Sequence, residues 1–193
     1  VNRKVESKGG IVVGVVSDTH GQLHPWVREM LVGVDHIIHA GDIGSAEVLA
    51  GLRAIAPLTA VRGNCDWEAW AWSLPVQAEV ELGGVRILVG HVAGRLRETL
   101  GSRPVQKAEG DSLARSSDRG FRVVVTGHSH RTESEERNGV LYLNPGSAGP
   151  ERFGCPRTLA RLLITPLKEG EGSTLERAEA QITVELLVVG AGR

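Results

Sequence analysis

Seven side chains with metal-binding chemistry follow apolar runs in this chain of 193 residues. Asp18 and His20 follow 11–16, Asp42 follows 36–39, Asn64 follows 57–61, His91 follows 85–89, and His128 and His130 follow 121–126. Two carboxylates, one amide oxygen and four imidazoles suit a pair of borderline divalent cations, manganese first, with nickel, cobalt, zinc or iron as alternatives. They suit neither magnesium alone nor a thiolate zinc knot. Two cations about 3.5–4 Å apart acidify a shared water and hold phosphoryl oxygens on both sides of an in-line displacement. Two negative charges against four positive ones leave an excess that attracts an anionic ester. Glycines 41, 63, 90 and 127 precede ligands and permit close backbone approach.

Each cluster alone has a plainer reading. Asp-x-His after a strand is commonly a turn, Gly63-Asn64 reads equally as a turn with a left-handed asparagine, and His91 is as readily a satisfied polar residue as a ligand. Gly127-His128-Ser129-His130 is the most specific, because alternate histidines on an extended segment face one side. Five clusters in order carry the argument.

The elements that must position these residues are legible in the hydrophobic pattern. Residues 11–16 lack polar alternation and read as a strand covered on both faces. Pro25 starts a helix carrying Val27, Met30 and Leu31, and Ser45 caps another carrying Val48, Leu49 and Leu52. With strands at 36–39 and 57–61, three strand–loop–helix units follow in succession, which argues for a layered α/β fold with polar loops at the carboxyl ends of the strands. Runs 76–82 and 85–89 flank Gly83-Gly84, and 132–137 and 140–143 flank Asn138-Gly139, so two hairpins are expected. Residues 121–126, 159–164 and 182–189 complete the strands, 103–119 reads as a polar helix, and 168–177 as an exposed loop. The expectation is two stacked sheets with helices outside, forming a single domain over residues 11–193 after a flexible tail at 1–10.

Lys and Arg number 22 against 23 Asp and Glu, for a net charge of -1, so there is no strong nucleic-acid signal. Cys65 and Cys155 lack CxxC spacing and read as reduced thiols. No apolar run approaches the ~20 residues of a membrane span and no leader pattern opens the chain, so the expected location is cytoplasmic, with no membrane partner.

The motifs SDTHG, GD, GNCD, GH, GHSH and NPGS, from about Ile11 to about Ile164, resemble the calcineurin-like metallophosphoesterase superfamily. The resemblance is closer to its small prokaryotic phosphodiesterase branch, which is itself similar to the retromer scaffold subunit. It implies a four-layer α-β-β-α sandwich, the metallo-dependent phosphatase fold. Asp18, His20 and His130 would hold the first metal, Asn64, His91 and His128 the second, and Asp42 would bridge. Asn64, Cys65 and Asp66 are the implied catalytic residues, with Asn64, His91 and His128 also contacting substrate. The implied reaction is attack by a metal-bridging hydroxide on a small phosphodiester. Alternatives are a phosphomonoesterase or nucleotide pyrophosphatase on the same centre, and a non-catalytic interaction scaffold. Fold alone does not choose among them.

Two positions depart from the superfamily. Cys65 stands where many members have the histidine credited with protonating the leaving group, and a thiol is the weaker acid and donor at neutral pH. Val92 follows His91 where glycine is usual, which narrows the cleft. Asn144-Pro145-Gly146-Ser147 reads as a turn or a substrate contact. Trp67, Trp70 and Trp72 read first as packing or subunit contacts, leaving a homo-oligomer open, and second as cleft walls. Arg95, Arg97 and Arg152 are open between phosphate contacts and solvated side chains.

Overall fold

Valine and isoleucine without polar alternation make β1 (Ile11–Val16) a strand buried along five of its six residues. A computed structural model describes it within residues 9–96, 120–151, 154–166 and 180–189. The expected helix at 103–119, the loop at 168–177, Arg97, Arg152 and most of the expected tail lie outside the described residues. Helix α1 (Pro25–Met30) begins with Pro25 after His24, whose side chain accepts from the Trp26 N–H. Helix α2 (Ala46–Arg53) is capped by Ser45, whose hydroxyl accepts from the Val48 N–H, and it buries Val48, Leu49 and Leu52.

These helices connect β1 to β2 (His36–His39) and β2 to β3 (Leu58–Ala60), and the three strands pair in parallel. Beyond β3 the expected third helix is replaced by a 3-10 helix at Ala69–Ser73. The cause is local. Asp66 pins the preceding loop, and Pro75 pushes Leu74 into the extended region just after that helix.

The first sheet has the order β10-β9-β1-β2-β3, with β9 (Thr158–Thr165) and β10 (Gln181–Val188) antiparallel. The second has the order β4-β5-β6-β8-β7. Its hairpins are β4 (Gln77–Leu82) with β5 (Val85–Gly90), and β7 (Thr132–Arg137) with β8 (Val140–Pro145). Asn138 and Gly139 turn the second hairpin at φ 53° and 77°, as the sequence pair predicts. Strand β6 (Val123–Val125) lies parallel to both β5 and β8.

Side chains alternate across β1. Val13 and Val15 face inward and pack with Ile38, Ile87, Val89, Val123 and Val125 between the sheets. Val12 and Val16 face outward onto Val27, Leu31, Leu49 and Leu52 of the two helices. On the far side of the second sheet, Leu88 and Val124 pack against Phe121 and Leu96, the latter in the helical segment 93–96. The fold is an α/β sandwich, with β1, β2, β3, β5 and β6 feeding their loops to one edge. No described helix is long and apolar enough to cross a membrane.

Candidate metal centre

The loops after these strands interlock through backbone and carboxylate bonds. Asp18 N–H donates to the Gly41 carbonyl and His20 N–H to the Asp42 carbonyl, both at 3.0 Å. Gly127 N–H reaches the His91 carbonyl at 3.0 Å, and His128 N–H donates to Asp18 Oδ2 at 3.1 Å. Asp18 thus touches both sheets.

Asp18, His20 and His130 form one group, with His130 Nε2 at 3.3 Å from Asp18 Oδ1 and 3.2 Å from His20 Nε2. Asp18, Asp42 and His91 form a second, buried group that shares Asp18 with the first. The His128 ring packs edge-on against His91 at 5.2 Å, and the exposed Asn64 turns its Nδ2 toward Cys65 Sγ at 3.4 Å. The structure therefore gathers all seven sequence-predicted positions along one edge. It adds a contact the sequence reading missed. Cys65 Sγ lies within 4.8 Å of ligand atoms of both His20 and Asp42, so the thiol belongs to the cluster itself.

The tautomer of His91 is set by its backbone partner. Nδ1 lies 2.7 Å from the Ala40 carbonyl and must donate to it, which leaves a lone pair on Nε2. That lone pair faces Asp42 Oδ1 at 3.3 Å without hydrogen-bond geometry, and Nε2 has no hydrogen-bond partner. Asp18 Oδ1 is likewise buried without one. Acceptors held together out of water are suited to a cation between them. Borderline divalent metals fit this donor set.

The charge balance points the same way. Burial would lower the His91 pKa, yet the Asp42 carboxylate holds it above the ordinary imidazole value. Burial would raise that of Asp42, but the adjacent His91 imidazole and the bond from the Cys65 N–H, at 2.8 Å, hold it well below the usual carboxylate range. Asp18, with no exposed surface, is raised by burial despite its histidine neighbours. Burial and the Asp42 carboxylate push the Cys65 thiol up to about 11.

Backbone conformation marks the same residues. Asp18, His20, Asp42, His128 and His130 all have left-handed φ, at 55°, 46°, 54°, 72° and 58°. Asn138 is the remaining non-glycine case among the described residues. Such geometry costs about 1–3 kcal/mol per residue and clusters where chemistry demands it. It also corrects the expectation for Gly127-His128-Ser129-His130. The histidines do not alternate along an extended segment but turn through two left-handed steps.

Supporting residues hold this strain in place. Asp66 accepts from three backbone N–H groups, those of Gly63 at 2.7 Å, Gly44 at 2.9 Å and Ile43 at 3.2 Å. Its carboxylate is engaged in tying the Asn64 loop to the Asp42 loop. Asn144 donates to the Gly127 carbonyl at 2.8 Å, and Ser147 donates to the Asp18 carbonyl at 3.0 Å, so the Asn144–Ser147 segment braces the histidine loop. A Cβ on Gly63 would sit 2.0 Å from Asp42 Oδ1, and one on Gly127 would sit 1.9 Å from Ser17 Oγ. His39 was not a candidate in the sequence, yet it supports the site. It accepts from the Gly41 N–H at 3.2 Å through Nδ1 and reaches Thr19 Oγ1 at 2.9 Å, while Thr19 donates to the Ile43 carbonyl.

The chain is a layered α/β sandwich that gathers carboxylates and imidazoles at one edge. Residues 11–165 match the calcineurin-like phosphoesterase superfamily domain, and the chain belongs to that family. It is 32% identical over 153 residues to a probable metallophosphoesterase of Methanocaldococcus jannaschii, covering 77% of this chain and 72% of the relative. A phosphodiesterase of the same organism is 28% identical over 181 residues, covering 85% of this chain and 99% of that one. Among solved structures, vacuolar protein sorting 29 from Cryptosporidium parvum aligns with TM-score 0.63 and 20% identity, over 94% of this chain and all (100%) of that one. An archaeal phosphodiesterase aligns with TM-score 0.61 and 22% identity, over 91% of this chain and 100% of that one. These two likenesses establish the shared fold. The family makes the protein a phosphoesterase hydrolase of the metal-dependent kind.

Proposed function

We propose that this phosphoesterase hydrolyses small phosphodiesters at a centre for two divalent metals, manganese first among them. The observation that supports the reading is the set of buried acceptors, Asp18 Oδ1 and His91 Nε2 against Asp42, held at 3.3 Å contacts suited to cations. Asp18, His20 and His130 would hold the first ion, Asn64, His91 and His128 the second, with Asp42 between. When bound, such ions acidify water and neutralise phosphoryl charge.

The remaining work falls to the chain. The exposed side chains of Asn64 and His128, with His91 behind them, meet the substrate's oxygens. Cys65, exposed beside Asn64, is placed to protonate a leaving group, and its raised pKa makes it a weak acid. That favours diesters whose leaving groups need little help. Asp66 acts as a positioning residue rather than a proton donor, because its oxygens are engaged by Ile43, Gly44 and Gly63.

The test is hydrolysis of bis(p-nitrophenyl) phosphate and p-nitrophenyl phosphate by chelator-treated protein, with manganese, nickel, cobalt, zinc and magnesium returned singly. The diester should be the better substrate, and only with metal. Activity that survives chelation, or persists in Asp42→Ala, overturns the metal reading. Preference for the monoester makes the protein a phosphomonoesterase, and inactivity with every metal returns it to the scaffold alternative.

A further inference from the structure

Beside Asn64 and His91 a cleft of roughly 300 Å³ runs away from the metal edge. Because those two side chains belong to both places, a diester held by the ligand cluster has this cleft beside it for one substituent. Its walls carry Arg62 and Arg95, Gln77, Trp67 and Val92. Asp66 is the one carboxylate on the lining, and its oxygens are taken by backbone N–H groups. Among the described residues neither guanidinium has a carboxylate within ion-pair distance.

The cleft is therefore cationic, in a chain of net charge -1, and its cations adjoin Asn64 and His91. Planar guanidinium groups match phosphate oxygens with paired N–H donors, a match that lysine does not reproduce. The floor is fixed, since Arg62 N–H donates to the Pro75 carbonyl at 2.9 Å. Trp67 stands 77% exposed on the rim, with its carbonyl accepting from Trp72 Nε1 at 3.1 Å. That bond fixes the backbone at Trp67, and its exposed indole offers a face on which a planar base can stack.

We infer that Arg62 and Arg95 bind a second phosphate on the substrate, so that the preferred substrates are nucleotide-like diesters carrying a phosphomonoester away from the scissile bond. This rests on the phosphoesterase reading above and names its substrate class. The cleft discriminates by charge on the distal group, and Trp67 adds affinity for the base without reading its identity.

Two measurements test the inference. The first compares kcat/KM for thymidine 5′-(p-nitrophenyl phosphate) with that for its 3′-phosphorylated form, which differs only in the distal phosphate. The second is equilibrium dialysis of metal-loaded protein with thymidine 5′-monophosphate and with thymidine 3′,5′-bisphosphate, which needs no turnover. The bisphosphate should bind about tenfold more tightly, as two charge-assisted contacts permit, and the 3′-phosphorylated ester should be turned over with a similar advantage. In the Arg62→Gln, Arg95→Gln double variant both preferences should fall to within about twofold, while Arg62→Lys with Arg95→Lys should retain part of them. Equal affinities of the wild-type protein for the two nucleotides overturn the inference whatever the variants do. Failure of the phosphoesterase reading is separately visible as inert bis(p-nitrophenyl) phosphate, and the dialysis result still decides what the cleft binds.

Discussion

His91 Nε2 faces Asp42 Oδ1 at 3.3 Å, while its Nδ1 is engaged by the Ala40 carbonyl at 2.7 Å. A cation that fills this gap binds the folded protein and not the unfolded chain. At about a hundredfold excess over its dissociation constant it adds about 2.7 kcal/mol of stability. For a chain of this size that is a rise in Tm of roughly 5–10 °C. Thermal melts of chelated protein with and without manganese should show this rise, and Asp42→Ala should abolish it. An equal rise in the variant would count against Asp42 as a ligand.

Asp66→Ala leaves the Ile43, Gly44 and Gly63 N–H groups without their acceptor. The expected cost is about 3 kcal/mol, in line with buried hydrogen bonds to a charged group. Urea unfolding should give that difference, and Asp66→Asn, which keeps one carbonyl oxygen, should fall between the two.

The pH dependence of stability should carry the signature of His39. Burial lowers its pKa to about 3, and both ring nitrogens are already engaged by Gly41 and Thr19. The folded state thus excludes a proton that the unfolded chain takes up near its ordinary value of 6.5. Stability is full above that value and falls as the pH drops toward 3, by up to about 1.4 kcal/mol per pH unit. Urea midpoints compared at about pH 7.5 and about pH 5 should fall more steeply for the wild type than for His39→Asn. Parallel slopes would remove His39 from the explanation.

His128 is exposed and held at φ 72°, a conformation glycine adopts freely. His128→Gly should therefore leave the chelated protein as stable as the wild type or stabilise it by about 1 kcal/mol, while weakening metal binding and activity. Calorimetry of the metal-free proteins checks the first effect, and metal titration the second.

On the proposed mechanism, Cys65→His replaces a poor proton donor with a better one next to Asn64. The rate on diesters with poor leaving groups should rise by about tenfold or more, as a positioned general acid allows, with little change on p-nitrophenyl esters. Rates that stay equal or fall on the poor leaving groups would remove position 65 from leaving-group protonation.

Much of this architecture is legible in the chain because its signals are local. Residues 11–16 and 36–39 declare buried strands by composition, Ser45 declares a cap, and Asn138-Gly139 a hairpin. The clustering of Asp18, Asp42 and His91 is legible as recurrence at strand ends. What the chain hides is set by contacts between distant loops. Asp66 reads as a catalytic neighbour of Asn64 until its bonds to Ile43 and Gly44, 23 and 22 residues away, show that it ties two loops together. His39 passes as the last residue of an apolar strand because its partner Thr19 comes from the preceding unit. The left-handed turns at His128 and His130 leave no clear mark either, since histidine, although enriched there, adopts that conformation in only a small minority of cases.

The first ligand group draws Asp18 and His20 from the end of β1 and His130 from beyond β6, so one ion would touch both sheets at once. Metal affinity then serves as a gauge of how the two halves of the sandwich are seated against each other. A cavity cut deep between them, as in Ile87→Ala, should be readable at the edge as weaker metal binding, although that side chain belongs to the apolar core and not to the ligand groups.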